Sequence, residues 1–153
     1  MKILVVEDDE NKRTQLLRFL NELLPERAIT TECSLNSGVR RVRQEHFDLI
    51  ILDMTLPTYD ASPDEPADDT HIFGGREFLS QMERFDIVTP VIVFTQFELF
   101  GKPPNEMRIE DLDRELKEKF TDSYNGTIYY HASLDSWKYQ LKELLIATSI
   151  ISR

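Results

Sequence analysis

The stretch Asp48-Leu49-Ile50-Ile51-Leu52-Asp53-Met54-Thr55-Leu56-Pro57 constrains the fold more than any other part of the chain. Leu49 to Leu52 are all apolar, with no polar alternation, so both faces of the segment need cover. Such a run, bounded by polar and turn-forming residues, predicts a strand buried in a parallel sheet. It ends on a carboxylate, Asp53, at the C-terminal edge where open α/β sheets bind ligands. Pro57 stops the strand because it cannot donate to a ladder. Taken alone, Asp53 is better read as the cap of a following turn or helix.

The first strand repeats the pattern. Lys2-Ile3-Leu4-Val5-Val6 is followed at once by Glu7-Asp8-Asp9-Glu10. If the two strands are parallel neighbours, Glu7, Asp8 and Asp53 converge at one end of the sheet. Carboxylates that close repel one another unless a cation is shared among them. An all-oxygen ligand set completed by water and phosphate oxygens suits Mg²⁺ rather than Zn²⁺. Asp9 and Glu10 fit the start of a helix, where acids favour the dipole. That role does not account for a second strand ending on an acid.

These segments, with Val91-Ile92-Val93-Phe94-Thr95, resemble the receiver domain of two-component response regulators. The similarity runs from Met1 to about Thr95 and resumes near Gly126. It implies a doubly wound α/β fold of the flavodoxin and CheY type. Five parallel strands in the order 2-1-3-4-5 would lie between two layers of helices. It also implies that Asp53 is the phosphoacceptor. Mg²⁺ would be held by Glu7, Asp8, Asp53 and the Thr55 backbone carbonyl, with Glu7 acting through water. Thr95 would be the hydroxyl that turns toward the phosphoryl group. The expected partners are a sensor histidine kinase or phosphotransfer protein and a downstream protein effector.

Composition agrees with one soluble domain over residues 1–153. A chain of this length should bury roughly 68–70% of its unfolded surface. The net charge of −10, from 28 acidic and 18 basic residues, argues against nucleic-acid and anionic-membrane binding. No apolar stretch approaches the roughly 18 residues of a membrane span. The start lacks a signal-peptide pattern, so a cytoplasmic protein is expected. The single Cys33 cannot form an internal disulfide and is read as a strand residue.

Helices are expected over Asp9–Leu24, with Leu16, Leu17, Leu20, Leu23 and Leu24 as its apolar face, and after a cap at Ser34 or Asn36. A short strand over Ala28–Cys33 separates them. A third helix, Arg76–Arg84, follows Gly74-Gly75. Gly126–Tyr130 reads as the fifth strand. Leu134 to about Ile150 reads as the last helix, and its apolar tail of Ile146, Ile150 and Ile151 raises a homodimer.

Two stretches depart from the family as insertions. Residues 58–73 are rich in acid and Pro, and read as a solvated loop or a docking lid beside Asp53. Residues 96–125 hold the segment Gln96 to Pro104, closed by Pro103-Pro104, then a charged helix from about Asn105 to Phe120. Phe97, Leu99 and Phe100 fill core or form an exposed patch, with at least one of them in the core.

The last strand ends Tyr129-Tyr130-His131-Ala132-Ser133, where receivers carry a Lys, usually followed by Pro. His131 most nearly occupies that position, Tyr130 would by a one-residue shift, and Lys102 lies off it. Two other functions compete with a phosphorylated receiver. One is a pseudo-receiver that binds partners without phosphorylation. The other, less favoured, is a metal-dependent phosphatase, which lacks a second acid because Thr55 stands where one is needed.

Overall fold

The computed structural model describes residues 1–60 and 73–152. In chain order the elements are β1 (Lys2–Val6), α1 (Glu10–Leu23), β2 (Ala28–Glu32), α2 (Leu35–Gln44), β3 (Leu49–Leu52), α3 (Gly74–Arg84) and β4 (Val91–Thr95). They continue with β5 (Leu99–Phe100), β6 (Met107–Arg108), α4 (Ile109–Lys119), β7 (Tyr124–Tyr129) and α5 (Ser136–Ala147). Five parallel strands form one sheet in the order β2-β1-β3-β4-β7. This is the expected doubly wound order, with β7 as the fifth strand.

The continuous apolar runs are explained by burial on both faces. Leu4, Val6, Ile50, Leu52, Val91 and Val93 face one core, which α2, α3 and α4 cover with Val42, Phe78, Leu79, Leu112 and Leu116. Ile3, Val5, Leu49, Ile51, Ile92 and Phe94 face the other, covered by α1 and α5 through Leu16, Leu20, Trp137, Leu141 and Leu145. Successive strand residues point to opposite faces, so a strand buried on both must be apolar throughout.

Local boundaries follow the caps. Asp9 caps α1 by accepting from the Lys12 N–H at 2.8 Å. Ser34, not Asn36, caps α2, forming a reciprocal box with Ser37. Cys33 lies just past β2, half-buried. Among the described residues no helix is long and apolar enough to cross a membrane.

Several boundaries differ from those expected. The helix after Thr95 starts at Ile109, not Asn105, because residues 99–108 fold back as an antiparallel pair, β5 with β6. Phe100 is buried there, whereas Phe97 and Leu99 are exposed. Helix α5 starts at Ser136, so Leu134 precedes it and is exposed. The helix ends at Ala147, Ser149 takes φ 64°, and Ile150 turns back into the α1/α5 core. Part of the tail's apolarity is thus satisfied within the chain. Residues 61–72, the heart of the expected 58–73 insertion, lie outside the described residues.

Candidate functional site

Register assembles the site. Val6 pairs with Leu52 across β1 and β3, so the next residues, Glu7 and Asp53, stand side by side. The Asp53 N–H donates to the Val6 carbonyl at 2.9 Å, and the Glu7 N–H donates to the Glu32 carbonyl at 3.0 Å. Both acids are therefore fixed by extensions of the sheet's own ladder. Carboxylate oxygens of Glu7, Asp8 and Asp53 all lie within 4.8 Å of one another. Glu7 and Asp53 are buried. Asp8 is exposed as a residue, although its carboxylate belongs to the cluster.

The surroundings hold Asp53 in place. The Thr55 N–H donates to Asp53 Oδ1 at 3.3 Å. Helix α3 begins against the same turn, with the Gly75 N–H donating to the Met54 carbonyl at 2.8 Å. A Cβ on Gly75 would lie 2.7 Å from the Asp53 carbonyl oxygen and 2.9 Å from Met54 Cα. Only glycine permits that approach. Thr95 ends β4 fully buried, and its Oγ1 accepts from the Phe97 N–H at 3.2 Å. The Tyr130 N–H donates to the Thr95 carbonyl at 2.7 Å and fixes the end of β7 beside it.

A residue the sequence reading did not single out sits at the centre. Lys12, from the first turn of α1, is 1% exposed. Its Nζ lies 2.8 Å from Glu7 Oε1 and 3.2 Å from Asp53 Oδ1, and donates to the Phe94 carbonyl at 3.4 Å. Among the described residues it is the one side-chain cation paired with these carboxylates. Its signal in the sequence is spacing: Lys12 stands four residues before Leu16 and eight before Leu20, on the buried stripe of α1. His131 is exposed, and its Nδ1 accepts from the Ser133 N–H at 3.1 Å. Tyr130 is buried against Phe94 and Trp137, with a hydroxyl that has no hydrogen-bond partner.

The electrostatics reflect crowding in a dry place. Burial pushes the Asp53 carboxyl up to about 8, against the pull of Lys12 and with repulsion from Glu7. Burial, then the charge of Asp53, lifts Asp8 to about 6. Burial also raises Glu7, despite Lys12. For Lys12, burial acts downward, but Asp53 and Glu7 together hold the ammonium above its ordinary value. One lysine thus only partly offsets three acids. Glu7 Oε1 is buried, with the Lys12 ammonium as its partner at 2.8 Å. An all-oxygen cluster of three acids within 4.8 Å of one another, with one lysine to offset them, fits a hard divalent cation such as Mg²⁺.

No family model matches the chain. It is 35% identical over 145 residues to the uncharacterised protein y4jR of Sinorhizobium fredii, covering 93% of this chain and 95% of that one. It is 29% identical over 145 residues to the Detocs response regulatory protein DtcB of Enterobacter cloacae, covering 92% and 95%. The fold is similar to that of the response regulator TrrA from Thermotoga maritima, solved in complex with Mg²⁺-BeF, with a TM-score of 0.58 at 19% identity over 94% of this chain and 98% of that one. The chain thus has the fold of a response-regulator receiver and is similar over nearly its whole length to y4jR and to the response regulatory protein DtcB.

Proposed function

We propose that this domain receives a phosphoryl group on Asp53 and signals through a changed protein-binding surface. The observation that carries this reading is the convergence of Glu7, Asp8 and buried Asp53 at one sheet end, within 4.8 Å. An Asp53 carboxylate oxygen attacks the donor phosphorus. The donor's P–N bond, in a phosphohistidine, or P–O bond, in an acyl phosphate, breaks, and its electron pair leaves with the imidazole or carboxylate. Glu7, Asp8, Asp53 and the Thr55 carbonyl would hold Mg²⁺, whose charge offsets that on the phosphoryl oxygens. TrrA, solved with Mg²⁺-BeF, is a precedent for such a ligand in this fold.

The product carries about −1.5 to −2 charges where one carboxylate stood. Thr95, at the end of the neighbouring strand β4, is the hydroxyl that answers it in this reading, and its present partner, the Phe97 N–H, links it to the segment leading into β5. The donor is a sensor histidine kinase or phosphotransfer protein, and the reader is a protein effector in the cytoplasm. Self-association through α5 and β7 is a further mode of output. The domain signals and does not turn over a substrate.

A second reading has one specific observation in its favour. Lys12 already pairs with Asp53 and Glu7, as a constitutive, unphosphorylated module would have it. The test is intact mass after incubation with Mg²⁺ and acetyl phosphate, beside Asp53→Asn. Gain of one phosphoryl group, lost in the variant and on chelation, supports the receiver. No gain while Mg²⁺ binds favours the constitutive module.

A further inference from the structure

The cation expected at the end of the last sheet strand is not supplied there: Tyr130 turns into the core and His131 is exposed. A different cation reaches the same acids from the other end of the chain. We infer that Lys12, entering from α1, is the cation that receives the phosphoryl group on Asp53; this rests on the reading of Asp53 as phosphoacceptor.

Three features carry the inference. The first is placement. Lys12 is fully buried in the first turn of a helix, where a lysine ordinarily reaches solvent. A buried ammonium needs partners, and each one it has belongs to this site: Glu7, Asp53 and the Phe94 carbonyl. The ring of Phe94 also lies beneath it, with Nζ 5.7 Å from the centroid.

The second is direction of approach. Helices α1 and α5 share one face of the sheet, and Phe94, Tyr130 and Trp137 fill the core between them. The Lys12 stem runs along that core, so its ammonium comes to Asp53 from the face on which α5 and the end of β7 lie. The buried rings of Phe94 and Tyr130 occupy the space beside it.

The third is chemistry. Phosphorylation adds oxygens to the carboxylate that Lys12 already touches at 3.2 Å. An ammonium with three donors can exchange Asp53 or Glu7 for a phosphoryl oxygen by a side-chain rotation. The new group carries more charge than the one it replaces, so the exchange is favourable. Coupling would then begin in α1, because the cation that follows the phosphoryl group is anchored there.

The experiment uses the full chain with Mg²⁺ and beryllofluoride, a stable stand-in for the phosphoryl group, read by ¹⁹F NMR. Lys12→Met should melt cooperatively and bind Mg²⁺ at least as well as the parent, because a competing cation is gone. Its beryllofluoride affinity should fall roughly 10- to 100-fold, the range for one hydrogen bond to a charged group. Lys12→Arg should retain part of it.

A second measurement needs no variant. In the parent protein the side-chain ¹⁵N resonance of Lys12 should shift on adding beryllofluoride to the Mg²⁺-bound form. An unmoved resonance overturns the inference, as does Lys12→Met binding beryllofluoride as tightly as the parent. Loss of binding in His131→Ala but not in Lys12→Met would return the role to the last strand. If the parent takes up neither beryllofluoride nor a phosphoryl group while binding Mg²⁺, the reading of Asp53 fails first and this inference with it.

Discussion

The Thr95 hydroxyl, fully buried at the end of β4, accepts a hydrogen bond from the Phe97 N–H at 3.2 Å. That bond ties the sheet end carrying the acids to the β5–β6 hairpin, where Leu99 pairs with Arg108 and Phe100 with Met107. If Thr95 turns to a phosphoryl oxygen, the Phe97 N–H loses its partner. The hairpin, with exposed Phe97 and Leu99 and buried Phe100, is then the first surface to respond.

Amide exchange tests this link. Adding Mg²⁺ and beryllofluoride should speed exchange at Phe97 and through residues 99–108. In Thr95→Val, which keeps the shape and removes the hydroxyl, that response should vanish. The same acceleration in the variant would show that the hairpin moves for another reason.

Gly75 predicts a stability effect. Its missing Cβ is what lets α3 start against the Asp53 carbonyl, with backbone rather than flexible side chain in the way. Gly75→Ala should cost about 1–3 kcal/mol, the range for overpacking a tight site. Urea titration gives the number directly. A midpoint equal to the parent's would mean that the turn after β3 has room the geometry does not suggest.

The pH dependence of stability has a definite sign. In metal-free protein the Asp53 carboxyl is pushed to about 8 by burial, from an ordinary 3.8. Between those values the folded state keeps a proton that the unfolded chain has released. This contribution is fully present below the ordinary value and is lost as pH rises through about 8. The stability of the parent relative to Asp53→Asn should therefore fall between pH 5 and 8, by on the order of a few kcal/mol. Mg²⁺, which favours the charged form, should flatten the difference. A difference flat without metal would mean that Lys12 already holds Asp53 ionised.

Ile150 lies past the end of α5 yet is 5% exposed, within the core shared by α1 and α5. Truncating it to Ala should cost about 2–5 kcal/mol by leaving a cavity. Denaturation should report this at protein concentrations spanning a hundredfold. A loss that shrinks as the protein is diluted would place Ile150 between two copies instead.

The continuous runs Ile3–Val6, Leu49–Leu52 and Val91–Phe94 could be read because a strand buried on both faces leaves no other pattern. The acids at two of the strand ends could be read for the same reason: each run stops where the sheet meets its binding edge. The β5–β6 hairpin escaped because strands of two residues have no periodicity to detect. The start of α5 escaped because Leu134 extends the apolar spacing one turn too far, and only the backbone shows that it lies before the helix.

The sequence by itself determined where the doubly buried strands run and which acids follow them, because burial acts locally on contiguous residues; the order of the strands in the sheet came only as what the resemblance implied. Lys12 was decided by tertiary structure alone. In sequence it is one charge beside Glu10 and Arg13, at the solvated start of a helix. Only when α1 docks does its place in line with Leu16 and Leu20 carry the ammonium inward. There two carboxylates from strands 46 residues apart are waiting to offset its burial. An interaction set by the docking of one helix against two strands has no local signature strong enough to outweigh the exposed reading of a lysine.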